Sequence, residues 1–415
     1  MQWSFPAACG ILRIEEPRNL RERMRSDMKE RISLGFIGLG ARGGGLLEFL
    51  LLPMEDVDIP AVCDLYEDRR EKAAAKVTEV RGTPCTAYAD YRDLLAMRRG
   101  LYTAFEVGGT YSLDQCWQLV HTQEETGVPC MMLENCCYGR DEMMALHMAR
   151  LGIFGELVHC QGGYEHDLRD EVALGKENRH YRLDNYSNRN GEIYPTHELG
   201  PIAKLLNIHK GNRLVSLTSM ASKAVGLHSW IAAHKSDDAD LMGRAFTQGD
   251  VVTTMIKCAH GETILLIHDT TLPRPYSRGL RIQGTKGAWM EDNHSLYIEG
   301  VSEPHTWEPT DKYRETYEHP LWKDYEAKGV RGGHDGMDYL VFRAFVESVK
   351  NGTGVPIDIY DAAAWMAVTC LSEESIALGG APVAIPDFTG GRWIHGVNSY
   401  TGPYDLQAIP DIPGV

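Results

Sequence analysis

A glycine-rich segment followed by an acidic residue could bind a dinucleotide. Gly38, Gly40 and Gly43 form a GxGxxG motif between an apolar strand-like run and a helix-like run, and Asp64 follows Gly43 by 21 positions at the end of a second apolar run. Such a turn brings backbone N–H groups against a pyrophosphate, while the acid accepts from the ribose hydroxyls and repels a 2′-phosphate. The pattern predicts a site for NAD rather than NADP. The alternative is an ordinary glycine-rich turn with a surface Asp.

The segment 188–197 (NRNGEIYPTH) carries two side chains that could move protons. Tyr194 and His197 lie three positions apart, just before a helix-like run. Imidazole titrates near neutrality and suits proton transfer, although a histidine that only caps or supports a helix is the alternative. Three further polar side chains are, taken singly, more typical of surface residues: Tyr164, Arg182 and Tyr276.

The elements that must position these residues divide the chain into two domains behind a tail. Strand-like and helix-like runs alternate at first, which predicts a Rossmann-like parallel sheet. Later strands with alternating polarity and hairpin-like connections predict an open antiparallel sheet packed by helices. We therefore expect an α/β plus α+β fold: a disordered tail over 1–31, a dinucleotide-binding domain over 32–138 and a substrate-binding domain over 139–415. Met28, just before the first strand, would make a natural start.

Composition excludes several functions. The net charge of −16 argues against nucleic acid or an anionic membrane surface as a partner, because both require basic patches. The ten cysteines show no zinc-ligand spacing, and the segment 332–336 (GGHDG) most simply caps a helix, so no metal is predicted. No apolar run is long enough to cross a bilayer, and the scattered cysteines favour a reducing compartment. We expect a cytoplasmic protein.

Eight distinctive segments follow one another along the chain: GFIGLGARG, LENCCYGRDEM, GELVHCQGGYEHDLR, NRNGEIYPTH, NRLVSLTSMASKAVG, HDTTLPRPYSRG, GGHDGMDY and IPDFTGGRW. Together, over residues 32 to 395, they resemble the NAD-dependent α-N-acetylgalactosaminidases of glycoside hydrolase family 109, a branch of the Gfo/Idh/MocA oxidoreductase superfamily. The resemblance implies a redox-neutral reaction on a terminal N-acetylhexosamine or similar glycoside. In that reaction NAD takes hydride from C3, a base removes the C2 proton, the C1 group is eliminated, water adds and the hydride returns.

The resemblance also implies roles for individual residues. Beyond the loop glycines, the cofactor contacts fall on Arg42, Gly43, Asp64, Glu106, Val107 and Asn135. The sugar contacts fall on Tyr164, Arg182, Tyr194 and Tyr276. The segment Tyr194, Pro195, Thr196 and His197 faces both ligands. His197 and Tyr194 are the expected catalytic residues. A small sugar or glycoside is the expected partner, and a homo-oligomer formed through the C-terminal sheet is compatible with this organisation.

Two departures from the wider superfamily count against a plain NAD-dependent sugar oxidoreductase, the first alternative function. Ordinary dehydrogenases carry Glu-Lys-Pro where this chain has Glu106, Val107 and Gly108, and they carry Asp where it has Ile193.

A third departure counts against the family resemblance as a whole and predicts a damaged or rearranged cofactor site. Relatives have a strand and a helix between Met97 and Leu101, where roughly 20 residues are absent here. The missing strand would be central in the sheet, and its loop would touch the nicotinamide end of the cofactor. The second alternative is therefore an inactive relative with a damaged cofactor site.

Overall fold

The computed structural model describes residues 31–96, 102–329, 331–398 and 400–406. The tail predicted over 1–31 lies outside these ranges except for Arg31, and so does the junction from Met97 to Leu101. The strands are β1 (Ile32–Ile37), β2 (Val57–Cys63), β3 (Thr86–Tyr88), β4 (Thr103–Phe105), β5 (Cys130–Met132), β6 (Leu157–Glu165), β7 (Leu214–Ala221), β8 (Val251–Cys258), β9 (Thr263–Asp269), β10 (Arg281–Gly284), β11 (Gly287–Met290), β12 (Ser295–Ile298), β13 (Glu308–Pro309) and β14 (Val383–Ala384).

The helices alternate with the first strands and then cover the later sheet. They are α1 (Ala41–Gly45), which continues as a π-helical segment (Leu46–Leu51), α2 (Glu67–Arg81), α3 (Tyr91–Ala96), α4 (Leu113–Thr126), α5 (Arg140–Arg150), α6 (Arg169–Ala173), α7 (Arg182–Asn188), α8 (Thr196–Leu205), α9 (Gly226–His234), α10 (Ala239–Gly243), α11 (Asp311–Tyr317), α12 (Pro320–Ala327), α13 (Met337–Asn351) and α14 (Ile359–Ala377). None of the described helices could span a bilayer, because none is both long and apolar enough.

The Rossmann-like domain is divided into two small parallel sheets. β1 pairs with β2 and β2 with β3, whereas β4 and β5 pair only with each other. In a doubly wound sheet the first strand is central, with a neighbour on each side. Among the described residues no strand joins β1 to β4, and Ile37 on β1 is 49% exposed. This opening agrees with the predicted loss of one strand and one helix.

The C-terminal sheet is mixed, so the prediction of an antiparallel sheet is wrong for one pair of strands. Its nine strands run in the order β13-β12-β11-β10-β6-β9-β8-β7-β14, and every pairing is antiparallel except that of β6 with β9. β6 enters the middle of the sheet, and the long connection through five helices, β7 and β8 brings β9 back parallel to it. Alternating polarity reports which face is buried but not strand direction, so the sequence could not reveal this pair.

The last long helix joins the two halves of the molecule. Asp358 caps α14 with a capping box, and the helix is buried on nearly all sides. It packs against α4 and β5 of the first domain and β7 of the second. One apolar core, from Ile32 to Leu406, runs through both halves. The hydrophobic core is therefore not interrupted at the predicted domain boundary between residues 138 and 139, which stays a prediction about the division of function.

A buried ion pair fixes α8, the helix that begins in the YPTH segment, against α14. The Lys204 ammonium donates to an Asp361 carboxylate oxygen at 2.5 Å and to the Pro356 carbonyl at 3.1 Å, and both side chains are buried. We expect Lys204→Met to lower the free energy of unfolding by about 3–5 kcal/mol, because the buried Asp361 carboxylate loses its ammonium partner and keeps only the His209 imidazole, 3.3 Å away. Urea unfolding measures this, with exposed Lys210→Met as the control. An equal effect of both substitutions would contradict the assignment.

Candidate active site

The glycine loop after β1 is packed on one side and open on the other. A Cβ at Gly43 would lie 2.0 Å from the Gly38 carbonyl oxygen, so only glycine fits there. Gly38 has φ of +91°, and a Cβ built on it meets nothing within 4 Å. The Asp64 carboxylate accepts the backbone N–H groups of Leu39 at 2.6 Å and Tyr66 at 2.8 Å, which ties the end of β2 to the loop. The open side of the loop is a cradle in which the phosphates of a ligand can approach the protein backbone closely.

Cofactor-matched residues from three segments meet beside this loop. The Arg42 guanidinium donates two hydrogen bonds of 2.7 Å to Asp338 at the start of α13 and lies 3.3 Å from a Glu106 oxygen. The Asn135 side-chain amide donates to the same Asp338 carboxylate at 2.8 Å. Burial alone raises the pKa of Asp338, but the hydrogen bonds from Arg42 and His334 outweigh it and hold the pKa well below its usual range. Asp338 is therefore ionised.

The sugar-matched residues also form one cluster, although they are far apart in sequence. Tyr164 on β6 stacks on Tyr194 with ring centroids 4.3 Å apart, and the Tyr276 ring lies 6.5 Å from Tyr164. The Arg182 guanidinium, from the first turn of α7, lies 5.1 Å from the centre of the Tyr194 ring. Burial raises the pKa of Tyr164 to about 12 and that of Tyr194 well above its ordinary value. Both phenols are therefore neutral near pH 7 and can donate hydrogen bonds.

His197 is paired with a buried carboxylate that the sequence analysis missed. Its Nδ1–H donates to Glu134 at 2.8 Å, and its ring centroid lies 5.0 Å from that of Tyr194. Burial raises the pKa of Glu134, but the nearby His197 imidazole outweighs it and the pKa is lowered overall. The bond fixes the tautomer and leaves Nε2 as the basic nitrogen. The available signal was an acidic residue placed directly after the apolar strand β5 and beside Asn135.

The thiol of Cys136 completes a compact group of potential metal ligands with Glu134 and His197, whose ligand atoms lie within 4.8 Å of one another. Burial raises the pKa of Cys136 well above its ordinary value, so the thiol keeps its proton. Oε1 of Glu134 accepts from Nδ1–H of His197 at 2.8 Å and from the backbone N–H of Cys136 at 3.0 Å. These hydrogen bonds and the protonated thiol explain why the three side chains lie together, and we assign no metal to them.

The two halves of the candidate site are continuous. Adjacent residues join them: Glu134 accepts from His197 at 2.8 Å, and Asn135 donates at 2.8 Å to Asp338, which also accepts from Arg42. Burial raises the pKa of Glu106, which follows β4, although the Arg42 guanidinium acts in the opposite direction. Val107 donates its backbone N–H to the Glu106 carboxylate at 3.2 Å. Helix α8 begins at Thr196, directly after Pro195. A cleft beside these residues is lined by both domains. Its lining residues are Gly108, Thr110, Tyr111, Tyr181, Asn185, Ile193, Tyr194, Pro195, Thr196, Met366 and Thr369.

Solved structures with this architecture are oxidoreductases. An NAD-binding oxidoreductase from Klebsiella pneumoniae matches with a TM-score of 0.63 at 14% identity, over 86% of this chain and 99% of that one. A levoglucosan dehydrogenase in complex with NADH and L-sorbose matches with a TM-score of 0.62 at 15% identity, over 87% and 100% of the two chains. At such low identity these matches show the fold alone. The molecule has the Gfo/Idh/MocA oxidoreductase fold.

Sequence relatives define the family. Residues 138–395 match the family described as glycosyl hydrolase 109, C-terminal domain. The chain is 39% identical over 410 residues to an alpha-N-acetylgalactosaminidase from Tannerella forsythia, covering 88% of this chain and 87% of the relative. It is 41% identical over 411 residues to a glycosyl hydrolase family 109 protein from Stenotrophomonas maltophilia, covering 88% and 90%. The sequence relatives thus define a glycoside hydrolase, built on a fold that is shared with oxidoreductases. The chain belongs to glycoside hydrolase family 109, which confirms the resemblance found in its motifs.

Proposed function

We propose that this glycoside hydrolase removes terminal α-N-acetylgalactosamine from glycosides, with bound NAD and no net oxidation. The observation that carries the proposal is the chain of contacts through Arg42, Asp338 and Asn135 that joins the glycine loop with Asp64 to the cluster of Tyr194, His197 and Glu134. A hydrolase that works by displacement alone has no use for a dinucleotide loop beside its proton-transferring histidine. The similarity to the Tannerella forsythia alpha-N-acetylgalactosaminidase supports the choice of sugar.

The residues around the loop fit NAD. The cradle at Gly38 is open, and the side chains of Arg42, Glu106 and Asp338 lie beside it. Bound NAD would supply a hydride acceptor and donor at sugar C3. The residues proposed to contact NAD or to position its site are Gly38, Gly40, Arg42, Gly43, Asp64, Glu106, Val107, Asn135 and the segment Tyr194, Pro195, Thr196 and His197.

The side chains divide the proton transfers between them. His197, with Nδ1 bonded to Glu134, uses Nε2 to accept a proton from the sugar, and the Glu134 charge stabilises the imidazolium that forms. The neutral Tyr194 phenol donates a hydrogen bond to a sugar oxygen instead of acting as a base, because burial raises its pKa. The Arg182 guanidinium, with Tyr164 and Tyr276, orients the ring.

An assay with a chromogenic glycoside tests the proposal against the sugar oxidoreductase alternative. We expect the full-length protein to release nitrophenol from p-nitrophenyl α-N-acetylgalactosaminide without accumulation of NADH at 340 nm. Formation of NADH in proportion to product would identify a dehydrogenase. Failure to cleave the glycoside while NAD is bound would favour the inactive relative.

Cofactor choice should depend on Asp64. We expect Asp64→Ala to reduce the preference for NAD over NADP by at least about tenfold, or about 1.4 kcal/mol, because the carboxylate that repels a 2′-phosphate is lost. Competition titrations on the stripped protein measure both affinities, with exposed Asp237→Ala as the matched control. If NADP binds the unmodified protein as well as NAD does, Asp64 does not have this role.

A further inference from the structure

The guanidinium of Arg42 is already engaged by protein groups. Each of its two terminal nitrogens donates to a different oxygen of Asp338 at 2.7 Å, a bidentate arrangement. One of these nitrogens lies 3.1 Å from His334 Nδ1, and the third nitrogen of the guanidinium lies 3.3 Å from Glu106. The side chain of Asp338, which accepts these two hydrogen bonds, is only 2% exposed. A phosphate would have to compete with this buried carboxylate for the same donors.

Asp338 contacts more than Arg42. Its carboxylate also accepts from the side-chain amide of Asn135 at 2.8 Å and lies 2.9 Å from His334 Nδ1. Arg42 and Asn135 lie at opposite ends of the dinucleotide-binding domain in sequence, 296 and 203 positions from Asp338. One carboxylate from the C-terminal half therefore fixes two distant parts of the cofactor site.

The backbone before α13 is shaped to deliver this carboxylate. His334 and Asp335 have φ of +48° and +53°, an unusual pair of left-handed residues without glycine, and Gly336 follows with φ of +102°. Left-handed backbone at non-glycine residues is costly and persists where the surroundings hold it. The turn starts α13 so that Asp338 lies in its first turn, facing the glycine loop. The GGHDG segment thus does more than cap a helix.

We propose that Asp338 is a positioning residue of the dinucleotide site and that Arg42 serves as its tie across the two domains rather than as a phosphate ligand. The proposal rests on the proposed use of NAD. The tie holds the glycine loop and Asn135 in their binding geometry, so that cofactor affinity depends on a residue in the C-terminal half. Backbone N–H groups of the loop, and not the guanidinium, are then left to bind the pyrophosphate.

Whether Asp338→Asn weakens or strengthens NAD binding shows which of two roles Arg42 has, a tie to Asp338 or a phosphate ligand. The substitution keeps the shape of the side chain and removes its charge. If Arg42 is a tie, Asp338→Asn and Arg42→Gln each weaken NAD binding on the order of tenfold, and the double variant is no weaker than either single one. Asp338→Glu, which restores the charge, should recover part of the affinity. Calorimetric titration of the stripped full chain with NAD measures all four variants.

Two results would overturn the proposal. Asp338→Asn could bind NAD as tightly as the unmodified protein or more tightly, which would show that the carboxylate only competes for a phosphate-binding Arg42. Alternatively, the effects of the two substitutions could add, which would show that the residues act independently. Melting temperatures show whether each variant folds, and if Asp338→Asn does not, Asp338→Glu and Arg42→Gln carry the test. If the unmodified chain binds no NAD, the proposed function fails together with this inference, whereas failure at Asp338 alone leaves the proposed function standing.

Discussion

Replacing His197 by glutamine should lower kcat/KM for p-nitrophenyl α-N-acetylgalactosaminide by about 10²–10⁴, the range typical of a lost general base. Glutamine offers hydrogen bonds of similar reach but cannot take up a proton at neutral pH. Nδ1 of His197 is fixed by Glu134, so no other nitrogen of the ring could replace Nε2 in this role. Steady-state kinetics with NAD at saturation give the ratio.

Two further variants locate the effect. Glu134→Gln keeps an acceptor for Nδ1–H but removes the charge that stabilises the imidazolium, so it should lower kcat by less than the loss of His197 does. The exposed His228→Gln should change neither parameter. Activity of the His197 variant within threefold of the unmodified protein would show that another residue is the base.

Insertion of a relative's strand and helix between Met97 and Leu101 should tighten NAD binding by at least about tenfold, equal to about 1.4 kcal/mol. The physical reason is the division of the parallel sheet: β1 has no neighbour on the side of β4 among the described strands, and Ile37 is 49% exposed. A restored strand would pair with both β1 and β4, and its loop would reach the nicotinamide end of the cofactor.

A glycine–serine insert of the same length is the control, because it restores chain length without a strand. Calorimetric titration of both chimeras and the unmodified protein compares their affinities for NAD. Equal affinities in all three, or tight binding and a rate typical of enzymes in the chain as it stands, would show that the missing segment does no damage.

The sequence was most informative where the evidence is local. The glycine loop and Asp64 follow from residues within one strand–turn–helix–strand unit, and the structure places Asp64 against the loop. The cluster of Tyr164, Arg182, Tyr194 and Tyr276 was anticipated only through the family motifs, since each residue lies on a different element. The structure brings them together because β6 runs through the middle of the C-terminal sheet. Their roles stay predictions.

Features that depend on long-range packing could not be read from the chain. The parallel pairing of β6 with β9 leaves the same alternation of polarity as an antiparallel one. Asp338 looks like an ordinary acid in the first turn of a helix, and only the fold places it 2.7 Å from Arg42. In the sequence Glu134 looks like a surface acid, whereas in the structure it is buried and paired with His197. Short apolar stretches such as β11 are too brief for a clear period.

Removal and return of the cofactor tests the central claim, that this glycosidase depends on NAD, most directly. The full-length protein is stripped of nicotinamide, checked for folding by its melting temperature, and assayed with p-nitrophenyl α-N-acetylgalactosaminide before and after NAD is added. We expect cleavage to be absent from the stripped protein and restored by NAD, and not by NADP at the same concentration. Full cleavage by the stripped protein would contradict the account.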